Sequence, residues 1–307
     1  MSLIDYKKLC ETEGSNIPLF LQYWWMETVC KGKRWEVLFS YDKQGSVTGA
    51  LPCLVGSKCG FNYVLQPQLT QFNGPWFRYP HREMSDMARA HFEEEAMQQL
   101  LDGLKRLHLL YYQQNCAPQF TNWLPYYWRG FRQSTRYSYC IEDISNPAAV
   151  FANMRRKDRQ KMIEKTMPML HRIDISPAEF ALLHHRYWKS KGEKDVLPKD
   201  LIARLCQTSL QRGQGVLLAL ADEKGELAGA TFAPYDDRCA YWLLGAMNPD
   251  SPLRGVSECL FWTLVQELSG KTQAFDFEGS MDEDIGYFYR SFGAVLKPYF
   301  SISKWIV

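Results

Sequence analysis

The chain has 307 residues, of which 46% are hydrophobic, 23% charged and 14% aromatic, and its formal net charge is +2. That length suits two domains of ordinary size, each with its own core, and so many rings exclude a disordered chain. A net charge so near zero supplies no global field committing it to nucleic acid or to a membrane surface.

Nine cysteines, an odd number with no C-x-x-C pair, indicate neither a disulfide framework nor a zinc knuckle. The N-terminal MSLIDYKKLCETEGSN lacks the apolar core of a signal peptide, and no apolar run approaches the ~18 residues of a membrane span. A cytoplasmic protein with reduced thiols and no membrane insertion is expected.

In chain order, Ile17 to Cys30 reads as an amphipathic helix with Ser15 or Asn16 as cap and Pro18 in its first turn. A hairpin follows: Trp35–Tyr41, a turn Asp42–Gly45, then Ser46–Val55. A further strand pair is expected over Phe61–Leu65 and the stretch before Asn73-Gly74-Pro75-Trp76. Good helix formers run from Met84 to Leu107, and Leu109–Tyr112 reads as a strand. An aromatic helix in Asn122–Phe131 and a strand over Ser134–Ile141 close the first half.

The second half opens at Asp143–Pro147, so the expected modules are residues 1–142 and 143–307. Ala148–Leu170 reads as one helix rich in Arg and Lys, followed by the stretch His171–Ile175 and helices Pro177–Lys191 and Lys199–Arg212. A hairpin Gly215–Asp222 with Glu226–Pro234 has Arg238–Met247 as its neighbour. The loop Asn248–Gly255 leads into a helix ending at Leu268, and a strand Lys297–Trp305 ends the chain.

Between those last elements lies the stretch most suited to chemistry. Phe275-Asp276-Phe277 alternates apolar and acidic side chains, as a strand with one buried face does. Glu278 stands at its C-terminal tip, before a glycine that permits a turn. Met281–Asp284 places acids in the first turn of a helix that ends before Gly293. A carboxylate at a strand tip beside a helix start suits ligand binding in an open α/β sheet. The same acids would equally solubilise an edge strand.

The two halves also repeat. Trp35–Leu65 lies on Gly215–Gly245 without a gap, matching Asp42 with Asp222, Gly45 with Gly225, Gly49-Ala50 with Gly229-Ala230 and Cys59 with Cys239. Two similar α/β modules with mixed (α+β) sheets are the expected fold class.

The element order, with PLFLQYWW (Pro18–Trp25), NGPW (Asn73–Trp76), NWLPYYWRGF (Asn122–Phe131), RRKDRQKMIEK (Arg155–Lys165), FDFEGSM (Phe275–Met281), YFYRSFGA (Tyr287–Ala294) and PYFSISK (Pro298–Lys304), resembles the GNAT acyltransferase superfamily. The tandem arrangement is similar to the Fem-type, methicillin-resistance-like aminoacyl transferases. The resemblance implies two GNAT-like modules, and transfer of an acyl or aminoacyl group from a thioester or aminoacyl-tRNA to an amine of a small or peptide-like substrate, a cell-envelope precursor being one possibility. It implies that the donor lies where Arg238–Met247 and Ala274–Phe277 splay apart, and that the acceptor enters between the modules. Unpaired N–H and C=O groups of splayed strands are able to bind an amide-containing arm.

Acetyl-CoA or another acyl-CoA would set its pyrophosphate at a glycine-rich helix start, and the matching segment here is Pro252-Leu253-Arg254-Gly255-Val256-Ser257. Pro252 stands where the family has a cation or amide, and Arg254 would supply charge from a neighbouring position. Glu278 and Asp276 would orient the attacking amine or take its proton. Tyr241, Tyr287 or Tyr289 would donate to a developing oxyanion or protonate a leaving thiolate. Arg155 and Arg159 would grip phosphates of a nucleotide-sugar or tRNA, or belong to a solvated face; Arg129 would face the groove between modules. His184-His185 has no companions at metal spacing, so packing is expected and no metal. A non-catalytic binding module on a degenerate GNAT fold is the alternative, motivated by the departures at Pro252–Ser257.

Overall fold

The structure, a computed structural model, describes residues 2–192 and 197–306. It divides into two compact units, Met1–Arg136 with Pro298–Val307, and Tyr137–Lys297. The terminal segment is thus part of the first unit, whereas the sequence reading groups it with the second half.

The first unit begins with a helix absent from the sequence reading, α1 (Leu3–Glu13), which opens on a reciprocal cap between Ser2 and Asp5. The helix expected over Ile17–Cys30 is broken into one 3₁₀ turn, Leu19–Leu21, and α2 (Tyr23–Val29). The break lies at Gln22, whose extended ψ of 141° interrupts the spiral. Its amide compensates by donating to the carbonyls of Gly14 and Ile17, both at 2.7 Å. Strands β1 (Trp35–Tyr41), β2 (Val47–Lys58) and β3 (Phe61–Leu65) form an antiparallel meander.

The strand expected before Asn73 is a loop instead, in which the Gln66 amide holds the Thr70 carbonyl at 2.8 Å. The short β4 (Trp76–Phe77) follows it and pairs with β2. After α3 (Asp86–Lys105), β5 (Leu109–Asn115) runs parallel to β3 and antiparallel to the chain's terminal strand. The core beneath includes Leu38, Leu51, Met97, Leu100, Leu104 and Tyr112. Next come α4 (Leu124–Trp128) and β6 (Arg132–Ile141), whose last residues enter the second unit.

In the second unit, the helix expected over Ala148–Leu170 is several pieces: α5 (Pro147–Asn153), a π-helical turn at Arg156–Gln160, α6 (Lys161–Thr166) and a 3₁₀ turn Met167–Met169. The interruption is held by Gln160, whose amide donates to the carbonyls of Phe151, Ala152 and Met154 at 2.9, 3.2 and 2.9 Å. The Arg155 N–H leaves the local ladder for the Ser291 carbonyl at 2.9 Å. There follow β7 (Leu170–Ile173), α7 (Pro177–Ser190), α8 (Lys199–Gln211), β8 (Gly215–Asp222) and β9 (Leu227–Pro234).

The single strand expected over Arg238–Met247 is two, β10 (Cys239–Tyr241) and β11 (Leu244–Met247). Then come α9 (Val256–Leu268), β12 (Ala274–Asp276), α10 (Glu283–Arg290) and β13 (Val295–Trp305). One sheet has the order β11-β9-β8-β7; β12 pairs with β6 on one side and β10 on the other.

The repeated hairpin is the same device in both units. Asp42 and Asp222 each accept from two backbone N–H groups, those of Gln44 and Ser46 at 2.9 and 2.8 Å and of Lys224 and Glu226 at 2.9 Å. Gly45 and Gly225 both take positive φ, 83° and 81°, at the last turn position. Ser40 faces Gly49 as Leu220 faces Gly229, and each ladder slips at the next residue.

Helix α9 is the spine of the second core, with Leu260, Phe261, Leu264 and Val265 fully buried against Leu218, Phe275 and Phe277. Leu260→Ala should therefore cost about 2–5 kcal/mol in a urea unfolding titration. A loss under about 1 kcal/mol would deny this helix its central place.

Candidate active site

The site is generated by a strand that changes partner. β10 runs parallel to β12, pairing Cys239, Ala240 and Tyr241 with Ala274, Phe275 and Asp276. The Trp242 N–H still reaches the Asp276 carbonyl at 2.8 Å. From Leu244 the chain pairs antiparallel with β9 instead, so the two strands part beyond Asp276. The Trp242 ring lies at the divergence, 5.7 Å from Phe261 at 21° and 5.6 Å from Phe277. In the first unit, by contrast, β3 keeps both β2 and β5 as neighbours.

Asp276 and Glu278 emerge at that fork. Asp276 is buried, takes the Ser138 hydroxyl in a short hydrogen bond, and accepts the Glu278 N–H at 2.6 Å. This contact turns the backbone, and Glu278 adopts a left-handed φ of 64°, which costs a residue with a side chain about 1–3 kcal/mol. Gly279 follows at φ 70°, where an added Cβ would fall 2.3 Å from the Tyr137 carbonyl oxygen. The glycine is required by both conformation and space.

The Glu278 residue is half-buried, with one carboxyl oxygen enclosed. Its Oε1 is buried and has no hydrogen-bond partner in the protein. Burial, and then the neighbouring Asp276 carboxylate, push the Glu278 carboxyl well above its ordinary 4.5. The Tyr289 phenol is pushed up to about 12 by burial and by the charges of Glu278 and Asp276. The Tyr241 phenol is raised well above its ordinary 10, by burial and by Cys239, Asp236 and Asp276. Asp276, Glu278, Tyr241 and Tyr289 thus form one electrostatic group.

The other sequence candidates lie apart from it. Arg159 is spent internally: it forms a short ion pair with Glu258 in which both side chains are about 90% buried, at 11% and 8% exposure. Its Nε donates to the Ser291 hydroxyl at 2.6 Å, and its guanidinium lies 4.4 Å and 5.1 Å from the Phe288 and Phe292 ring centres. Arg155 pairs with Asp158 at 3.2 Å and lies over the Tyr287 ring, whose hydroxyl also binds Asp158 at 3.0 Å. Arg129 belongs to the first unit and pairs with Asp102 at 2.9 Å.

At the start of α9, Arg254 is exposed, Gly255 takes φ 84°, Val256 is buried and Ser257 donates to Glu258 at 2.8 Å. His184 is buried, and its Nε2 accepts the Trp188 indole N–H at 2.9 Å, a packing role. Among the described residues, no group of three or more metal-ligating side chains is assembled. A groove of about 370 Å³ in the first unit, lined by apolar and aromatic side chains such as Phe61, Tyr63, Tyr111 and Trp305, contains none of the candidates.

An acyl-CoA diphosphate does not fit the α9 start well. An added Cβ at Gly255 would come 2.4 Å from Met162 Cγ and 2.9 Å from Thr166 Oγ1, so α6 fills that side. Glu258, in the first turn, already presents a carboxylate to the helix dipole. Sequence reading missed Glu258 and Ser138, because their partners are 99 and 138 residues away. Ser138 leaves no signal in its own segment. Glu258 leaves one, an acid at the third position of a helix.

Comparison with known proteins places this geometry. Residues 148–287 match the acetyltransferase (GNAT) domain family. The second unit carries a GNAT domain. The chain as a whole has a tandem GNAT-like fold, similar to the crystal structure of FemX, with TM-score 0.71, 11% identity, and 98% of this chain and 96% of that one covered. The C-terminal domain of a putative lysylphosphatidylglycerol synthetase from Agrobacterium fabrum gives 0.61 and 10%, covering 98% and 92%. A tandem GNAT protein from the clavulanic acid biosynthesis pathway gives 0.51 and 12%, covering 89% and 83%.

No curated protein matches the sequence. The match of residues 148–287 to the acetyltransferase (GNAT) domain family supports acyl transfer as the general class of activity. No helix among the described residues is long and apolar enough to cross a membrane.

Two outcomes follow from the charge environment of the GNAT domain. Glu278 holds in the folded state a proton that the unfolded chain loses near its ordinary 4.5, so its contribution to stability is whole below that pH and is lost as pH rises through its raised value. Glu278→Gln should therefore gain thermal stability over the natural chain as pH rises from about 4.5, then level off. Equal melting-pH profiles would refute a raised carboxyl. Arg159→Ala strands the buried Glu258 carboxylate and should cost about 3–5 kcal/mol in chemical denaturation; a change below about 1 kcal/mol would contradict the pairing.

Proposed function

We propose that the GNAT domain transfers an acyl or aminoacyl group from an activated ester or thioester to the amine of a small or peptide-like acceptor, with Glu278 accepting the proton released by the amine. The observation that carries this reading is the unpartnered, buried Glu278 Oε1 at the fork between β10 and β12. A buried acceptor without a donor invites an N–H group from outside the protein. A carboxyl whose pKa is raised well above its ordinary value suits a general base, because once ionised it is a stronger proton acceptor.

In the reaction, the amine nitrogen attacks the acyl carbon and a C–N bond forms. The nitrogen's proton passes to Glu278, the C–O or C–S bond to the carrier breaks, and the carrier leaves with a proton. Tyr289 or Tyr241, both held protonated by their surroundings, supplies a donor to the developing oxyanion or to the leaving atom. Asp276 positions the fork by accepting the Ser138 hydroxyl and the Glu278 N–H. Likeness to a lysylphosphatidylglycerol synthetase domain and to the Fem-type group favours an aminoacyl group from aminoacyl-tRNA, and a cell-envelope precursor as acceptor. Acyl-CoA is the other donor class of the fold.

A second reading, a non-catalytic receptor on the same fold, is favoured by the Trp242 ring at the fork and by Glu258 in the first turn of α9.

The two readings separate in a transfer assay with mixed radiolabelled aminoacyl-tRNA and, separately, radiolabelled acetyl-CoA, offered to a lysine-containing cell-wall peptide. The natural chain should form labelled amide, with a rate that rises with pH through the elevated pKa of Glu278. Glu278→Gln should lower that rate about 10²-fold or more. An unchanged rate in the folded variant would remove Glu278 from the mechanism; peptide binding without any transfer would establish the receptor reading.

A further inference from the structure

We infer that this chain does not take its acyl group from CoA, because the diphosphate position at the start of α9 is sealed by the chain's own Glu258–Arg159 ion pair and by α6. This narrows the donor of the proposed transfer, and rests on that reading, to an activated acyl ester or thioester whose carrier makes no diphosphate contact at α9.

A diphosphate at a helix start needs backbone N–H groups open to solvent, room beside the glycine, and cations that are not otherwise engaged. The room beside the glycine and the best-placed buried cation are each taken by a named group. Beside the glycine, Met162 and Thr166 of α6 leave no space even for a methyl group at Gly255. The Thr166 hydroxyl donates to the Arg254 carbonyl at 2.9 Å, fixing α6 against the loop. Among the cations, Arg159 has the burial and planar fork that suit phosphate, yet it is fully engaged by Glu258, Ser291 and the rings of Phe288 and Phe292.

The first turn of the helix also carries a carboxylate of its own. Glu258 sits in the first turn of α9, 6% exposed, and accepts the Ser257 hydroxyl at 2.8 Å. Its carboxylate takes the favourable field that would otherwise attract an incoming anion, and repels a second one. Pro252 brings no N–H to the preceding loop. Arg254, on the loop itself, keeps an exposed head. Where the strands part, the Trp242 indole stacks on Phe261.

The test is a binding measurement, so its outcome does not depend on turnover. The purified chain is titrated calorimetrically with CoA and with acetyl-CoA up to about 1 mM, and its melting temperature is followed with each. No heat and no melting shift are expected. Saturable binding of either ligand by the natural chain would overturn the inference.

Glu258→Gln provides the second arm: it frees Arg159 for a phosphate and should tighten CoA binding at least tenfold while the variant still melts cooperatively. A folded Glu258→Gln chain without that gain would show that the carboxylate is not the seal, and would also overturn the inference. Transfer from aminoacyl-tRNA with no CoA binding upholds both this inference and the transfer reading. Transfer from acetyl-CoA would sink this inference alone, and absence of transfer from every donor would sink that reading alone.

Discussion

A strand has two edges, and each backbone N–H and C=O on them must find a partner or meet solvent. Residues 239–247 meet that constraint by dividing their allegiance: the first part bonds to β12 and the second to β9. Trp242 stands at the division, one residue past the last paired position. Everything chemical in the second unit follows from that division. With β11 gone, the chain beyond Asp276 leaves its strand path, turns through Glu278 at positive φ, and releases its acidic tip from the ladder.

The buried acids are tolerated for different reasons. Asp276 is surrounded by donors, the Ser138 hydroxyl and the Glu278 N–H. Glu258 has a guanidinium and a serine hydroxyl. Glu278 alone of the three has a buried oxygen without a protein donor, and its carboxyl answers by holding its proton to higher pH. Satisfied buried charges fix structure, whereas a carboxyl left short of donors is poised to exchange a proton. On this ground Arg159 and Glu258 read as architecture, and Glu278 is the residue we propose for the chemistry.

The tandem modules show how one architecture separates its duties. Their hairpins keep the same aspartate-capped turn, the same glycine and the same ladder slip, a local solution that depends on a few adjacent residues. Their third strands differ. β3 stays paired on both edges and builds a closed sheet, while its counterpart is cut into β10 and β11. A closed sheet is a scaffold; a parted one exposes backbone groups and a strand tip.

The sequence by itself determined whatever is settled within a few residues. Asp42 and Asp222 announce their turns, Phe275–Glu278 announces a strand ending in an acid, and the acids of Met281–Asp284 announce a helix start, because each depends on neighbours in the chain. Long basic periodicity over Ala148–Leu170 likewise announces helix, but not the π turn, which exists because Gln160 and Ser291 claim backbone groups from outside the ladder. Only the tertiary structure decided that Arg159 would be buried on Glu258, that Ser138 would meet Asp276, and that one strand would serve two sheets. Those outcomes depend on which distant partner supplies the missing hydrogen bond or countercharge, and pattern along the chain carries no record of that choice.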